Sequence, residues 1–282
     1  LNCLNYISVI YISIYHKLFA TLDIFRLLCY ILANIKAGIH DTGHKVPLFR
    51  IIRHFNAISF VNLIQYYREK IMEYFVFILE LIGTAAFAVS GATVGAKRSM
   101  DIFGVCVLAL TTACGGGLIR DVILGKLPPS MFCEPIYALG AIAVGIIVFA
   151  VMYSKVRLGG KKQLDFLLLV TDSAGLGIFT VSGVNAAMAA GYGGSVFFTV
   201  FLGVLTGVGG GLMRDVMAQM PPYIFTKHIY ACASIIGALV CCLLRDAVGI
   251  NAAMLAGCAL VVAIRLISAR CELSLPKIKN IK

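Results

Sequence analysis

The residues most able to do chemistry in this chain come in two copies. Gly115-Gly116-Gly117-Leu118-Ile119-Arg120-Asp121 recurs 94 positions later as Gly209-Gly210-Gly211-Leu212-Met213-Arg214-Asp215, and a Pro-Pro step follows each copy, Pro128-Pro129 and Pro221-Pro222. Consecutive glycines loosen a helix, because each interior glycine costs roughly 1 kcal/mol relative to alanine. A loosened backbone can turn carbonyl oxygens toward a cation or amide hydrogens toward an anion. The guanidinium and carboxylate that follow can pair with each other, cap the turn at headgroup depth, or face a cavity. Glu80 and Asp172 stand at matched positions upstream. Each suits either an ion pair with an arginine or a site that attracts cations.

Other chemistries find no footing. No Ser/His/Asp set and no zinc spacing of His and Cys occurs, so no catalytic residue, metal site or cofactor is expected. The ten cysteines include no Cys-x-x-Cys pair, and those in apolar runs read as small buried hydrophobes. A phosphate-cradling glycine loop needs strand–turn–helix flanks and a Lys-Ser/Thr end, which both copies lack. The net charge of +11 does not call for nucleic acid, because aromatic residues are not interleaved with the basic ones.

The elements that position these residues are membrane helices. The chain is 60% hydrophobic and 13% charged, against about 25% charged in soluble domains. Apolar runs near membrane length recur from Glu73 to Ile267. Their limits predict seven spans, at about 73–95, 102–125, 135–153, 164–187, 195–219, 226–244 and 250–268, the second and fifth broken at the glycines. Ile102–Ala113 is too short to cross about 30 Å of hydrocarbon, so the second span must continue through its triplet.

The spans fall into two threes and a one. Glu80-x-x-Gly83-x-x-x-Phe87-x-x-Ser90-Gly91 matches Asp172-x-x-Gly175-x-x-x-Phe179-x-x-Ser182-Gly183, and Ile136-Tyr137-Ala138 matches Ile229-Tyr230-Ala231. Three is odd, so the second repeat enters the membrane from the opposite face. The expected fold is an all-α membrane protein with seven transmembrane helices, as two inverted three-helix repeats plus one extra helix. Residues 72–160 form the first repeat, 161–245 the second, and 246–282 the seventh helix with a basic tail. Lys97, Arg98, Lys155, Arg157, Lys161, Lys162, Arg270, Lys277, Lys279 and Lys282 share one side, which places the C-terminus in the cytoplasm.

Two readings of the glycines stay open. Gly203, Gly207 and Gly211, with Ala109, Ala113 and Gly117, form a small-residue stripe that lets helices pack closely. The alternative adds a pathway, in which opened backbone at Gly115–Gly117 and Gly209–Gly211 lines a water-filled cavity.

Residues 1–71 differ in composition from the rest. All nine Met lie at Met72 or later, while four of the five His and only two of the 28 Gly precede it. This segment reads as an extension, not native or poorly ordered, with the protein proper beginning at Met72. Leu18–Ile35 is apolar but carries Asp23 and Arg26, which makes it a weak span.

Phe87-Ala88-Val89-Ser90-Gly91, Gly115-Gly116-Gly117-x-x-Arg120-Asp121-Val122, Pro128-Pro129 and their second-repeat counterparts resemble the bacterial trimeric intracellular cation (TRIC) channel family, also called the glycine-transporter domain family. The resemblance runs from about residue 75 to 268. It implies a homotrimer in the bacterial inner membrane with lipid around it. Each subunit would hold a pore lined by the kinked second and fifth helices and passing monovalent cations, chiefly potassium. The second family name implies the alternative, a secondary transporter of glycine or another small amino acid.

Overall fold

The computed structural model of the protein describes residues 46–154, 161–226 and 229–271. The chain divides into two units, Leu1–Tyr66 and Tyr67–Lys282. Of the first unit, residues 46–66 are described and helical. Residues 1–45, with the Leu18–Ile35 stretch, lie outside the described residues, as do Lys155, Arg157 and the tail from 272.

Among the described residues the secondary structure is helical. The longer helices are α1 (Val46–Lys97), α2 (Ile102–Ile123), α4 (Pro135–Tyr153), α5 (Lys161–Ala189), α6 (Val196–Met217), α8 (Tyr230–Val248) and α9 (Ile250–Arg270). Two short helices, α3 (Ser130–Cys133) and α7 (Tyr223–Thr226), follow the two Pro-Pro steps. Among the described residues, seven segments are long and apolar enough to cross a membrane: Lys70–Lys97 within α1, Lys162–Ala189 within α5, and all of α2, α4, α6, α8 and α9. The expected sixth span began four residues early, because α7 stands between the Pro-Pro step and α8.

The repeat is visible in how the matched helices start and stop. Asp101 accepts a hydrogen bond from the Gly104 amide at 2.7 Å and starts α2, and Ser195 accepts from the Phe198 amide at 3.3 Å and starts α6. Such side-chain acceptors satisfy amides that have no partner inside the helix. α2 and α6 are both 22 residues long, about 33 Å at 1.5 Å per residue, enough to cross the hydrocarbon. Each ends at a residue with positive φ, Gly125 at 68° and Gln219 at 51°.

The expected break at the glycines is not found. α2 and α6 run as uninterrupted α-helix through Gly115–Gly117 and Gly209–Gly211. The triplets serve a close helix crossing instead. A Cβ on Gly116 would strike the Thr206 carbonyl oxygen, and one on Gly210 would strike the Thr112 carbonyl oxygen. A Cβ on Gly209 would lie 3.2 Å from the Gly116 Cα. The two backbones thus press directly on each other, and an intact helix keeps every carbonyl satisfied at that contact. Beside the crossing, Phe87 and Phe179 stack with centroids 5.3 Å apart, one from each repeat at matched positions. Outward, α2, α6 and their neighbours expose large apolar side chains such as Phe103, Phe197, Leu139 and Leu243, as a surface in lipid requires.

Candidate functional site

Each arginine of the doubled motif lies near the end of its helix and turns back into the protein. In the first cluster, Arg120 donates through Nε to Asp121 Oδ1 at 2.8 Å and through Nη1 to Glu80 Oε1 at 3.1 Å and Ser182 Oγ at 3.2 Å. Ser182 also donates to Glu80 Oε1, and Tyr137 donates to Glu80 Oε2 at 3.2 Å. In the second, Arg214 donates through Nε to Asp215 Oδ1 at 2.8 Å, and through Nη1 to Asp172 Oδ1 and Ser90 Oγ. The repeats exchange serines: Ser182 of the second completes the first cluster, and Ser90 of the first completes the second.

The aspartates do a second job. Asp121 Oδ2 accepts from the Ser130 amide at 2.7 Å, and Asp215 Oδ2 accepts from the Tyr223 amide at 2.7 Å. Each carboxylate therefore joins its arginine to the first turn of the short helix beyond the Pro-Pro step. Of the readings open at the Arg-Asp pairs, pairing with capping is what these atoms do. Glu80 and Asp172 act as ion-pair partners of arginine in both copies.

These groups lie on segments long and apolar enough to cross a membrane. Glu80 and Ser90 are ten residues apart on the first span, as are Asp172 and Ser182 on α5, which separates the clusters by about 15 Å of helix. Lys97 pairs with Asp165 at 2.6 Å, and Arg98 donates to the Gln219 carbonyl at 3.4 Å. The ends of α1 and α6 and the start of α5 therefore share one face. The Arg214 cluster lies toward that face and the Arg120 cluster toward the opposite one, as inverted repeats require.

The clusters are not equivalent. Arg214, Asp172 and Asp215 are fully buried, whereas the Glu80 side chain is 18% exposed. Glu80, Arg120, Tyr137, Cys114 and Gly117 border a cavity of about 40 Å³, room for about one or two waters. Gly117 matters here, because a Cβ there would meet nothing nearer than Arg120 Nη2 at 3.8 Å. The third glycine of each triplet thus faces the arginine, while the first two serve the helix crossing. Asp172 is one methylene shorter than Glu80, and Tyr230 Oη, the counterpart of Tyr137, has no hydrogen-bond partner. Arg265 of α9 fills that side instead. Its Nη2 lies 3.9 Å from Asp172 Oδ2, and its guanidinium stacks over the Tyr230 ring at 4.6 Å. Sequence reasoning missed Arg265, although an arginine inside the last apolar span was a signal in itself.

The glycine transporter family profile matches twice, over residues 77–153 and 169–246. The chain belongs to the glycine transporter family. Family relatives include the inner membrane protein YadS of Escherichia coli K12, 37% identical over 203 residues that cover 71% of this chain and 95% of YadS. A membrane protein of Vibrio cholerae is 36% identical over 202 residues, covering 71% and 81%. Among solved family structures, the TRIC trimeric intracellular cation channel orthologue from Rhodobacter sphaeroides matches with a TM-score of 0.65 at 30% identity, over 70% of this chain and 98% of that one. A structure solved to explain conductance through TRIC cation channels matches with a TM-score of 0.63 at 32% identity, over 73% and 98%. The family's seven-helix, two-repeat fold is the fold of this chain.

Proposed function

We propose that this protein is a multi-pass membrane channel that passively conducts monovalent cations, chiefly potassium. The observation that carries the reading is the Glu80 cluster, a partly exposed carboxylate at membrane depth beside a cavity, in a chain whose solved relatives are cation channels. Charged groups at such depth usually mark an ion pathway. The pathway runs beside the crossing of α2 and α6, within each subunit of a homotrimer surrounded by lipid. Gly115–Gly117 and Gly209–Gly211 shape it by drawing these helices together, and Arg120, Asp121, Arg214 and Asp215 brace its two ends. Residues 72–160 and 161–245 act as the two repeats, with 246–282 as seventh helix and cytoplasmic tail, and 1–71 as an N-terminal extension. The shared face of Lys97, Arg98 and Lys162 is the cytoplasmic side of a bacterial inner membrane.

The family's name supports a second reading, uptake of glycine by a carrier. One experiment separates the two. Purified protein in planar bilayers should carry single-channel potassium currents that persist without glycine. Absence of current, together with saturable glycine uptake into liposomes, would overturn the channel reading.

A further inference from the structure

The two clusters are built from matched residues yet differ in charge. Around Glu80 one guanidinium, Arg120, meets two carboxylates, Glu80 and Asp121. Around Asp172 two guanidiniums, Arg214 and Arg265, meet two carboxylates, Asp172 and Asp215. The extra positive charge comes from α9, the helix outside the repeat, so the first cluster has no equivalent of it. Access differs in the same sense: Glu80 borders the cavity, and Asp172 is fully buried.

Arg265 is not held as a structural arginine would be. A guanidinium's usual advantage is its planar fork, which grips a carboxylate with two parallel hydrogen bonds. Here the contact to Asp172 is a single approach of 3.9 Å, and Arg265 Nε and Nη1 have no hydrogen-bond partner. Asp172 Oδ2, Arg214 Nη2 and Tyr230 Oη are buried and unpartnered beside them. These groups close on Gly211, where a Cβ would lie 2.9 Å from Tyr230 Oη and 3.7 Å from Arg214 Nη2. What Arg265 contributes is therefore a positive charge next to Asp172, held by its stack on Tyr230 rather than by a hydrogen-bonded fork.

We infer that Arg265 is a tethered counter-ion, occupying beside Asp172 the position that a mobile monovalent cation takes beside Glu80. The inference rests on the cation-channel reading and deepens it. A cluster with one carboxylate in excess at membrane depth draws a cation from solution, and the cavity at Glu80 gives that cation a way in. At Asp172 the balance is internal, so that half takes no cation while Arg265 is in place. The Asp172 half is then the barrier on the Lys97 face, and a cation passes only by displacing Arg265 or after it swings aside. Asp172 is the selective element of that step, because a carboxylate freed of its tethered partner accepts a cation and repels an anion.

The test uses the full chain in two assays, potassium flux into liposomes and thermal stability in detergent with potassium chloride against the chloride of a large organic cation. Wild-type protein should be stabilised by potassium, and Glu80→Gln should lose that stabilisation. Arg265→Met should raise the flux about fivefold, the change expected for a modest electrostatic barrier, and should add potassium-dependent stabilisation from a second site. Arg265→Lys, which keeps the charge, should behave as wild type in both assays. Arg265→Met matching wild type in both, or Arg265→Lys following Arg265→Met, overturns the inference. Should Arg265→Met fail to fold, the Glu80→Gln comparison still decides, since an unchanged potassium dependence there also overturns it. If wild type conducts nothing but the stability pattern holds, the channel reading fails and the counter-ion assignment stands.

Discussion

Arg120 donates a hydrogen bond to Ser182 at 3.2 Å, although the two residues belong to different repeats. The same bond recurs in reverse from Arg214 to Ser90. Both serines precede a glycine that packs on a threonine of the glycine-bearing helix, Gly91 on Thr112 and Gly183 on Thr206. The repeats are therefore joined by two matched polar bonds on either side of an apolar crossing. Removing a hydrogen-bond partner from a buried charged group costs about 1–3 kcal/mol. Ser90→Ala and Ser182→Ala should each lower the midpoint of thermal unfolding in detergent, with Ser90→Ala the more damaging because its cluster is fully sealed. Equal and negligible shifts would show that the serines do not hold the repeats together.

The glycine triplets invite a graded test. Gly116 and Gly210 face backbone carbonyls that cannot move aside, so even alanine should separate α2 from α6. A Cβ on Gly117 would make only an ordinary contact, 3.8 Å from Arg120 Nη2, and alanine there gains roughly 1 kcal/mol of helix propensity. Gly116→Ala and Gly210→Ala are expected to reduce the properly folded fraction on size-exclusion chromatography by several-fold, while Gly117→Ala keeps it or raises it. Loss at all three positions would point to strict conservation of backbone flexibility rather than close packing.

The arginines should differ in how much they matter. Arg214 is fully buried between Asp172 and Asp215, and breaking a buried pair by removing one partner costs about 3–5 kcal/mol. Arg120 has the same bonds, but Glu80 reaches the cavity and can be hydrated once unpaired. Arg214→Ala should therefore abolish folded protein under conditions where Arg120→Ala still yields some. Denaturation midpoints and expression yield give the comparison, and equal losses would mean that the difference in burial has no energetic weight.

Much of this arrangement was legible in the residues. The apolar runs and the doubled motif gave seven spans and an inverted repeat, because span length and an odd repeat number leave little choice of topology. The pairing of Glu80 and Asp172 with arginine was one of two readings, and only the fold could choose between them. The cross-repeat serines were visible as matched Ser-Gly steps, but a serine's partner depends on which helix lies opposite. The break at the glycines was misjudged, since propensity alone disfavours the triplet in a helix and the close crossing of α2 and α6 outweighs it. Arg265 escaped notice because it lies outside the repeat and had no counterpart to draw attention to it.

Orientation can be read from two cysteines. Cys133 is exposed in the short helix after the first Pro-Pro step, and Cys271 is exposed just beyond the end of α9. α2 carries the chain away from the Lys97 face, so Cys133 lies on the opposite side. Four further crossings, α4, α5, α6 and α8, return the chain to that opposite side at the start of α9, and α9 brings Cys271 back to the Lys97 face. The cysteines described within the spans are buried or half-buried. With the Lys97 face in the cytoplasm, a membrane-impermeant maleimide applied to spheroplasts should label Cys133 at once and Cys271 only after permeabilisation. With Cys3→Ser and Cys29→Ser in the background, Cys133→Ser should remove the first signal and Cys271→Ser the second. Immediate labelling of Cys271 in sealed spheroplasts would reverse the orientation, and with it the assignment of the Arg265 barrier to the cytoplasmic side.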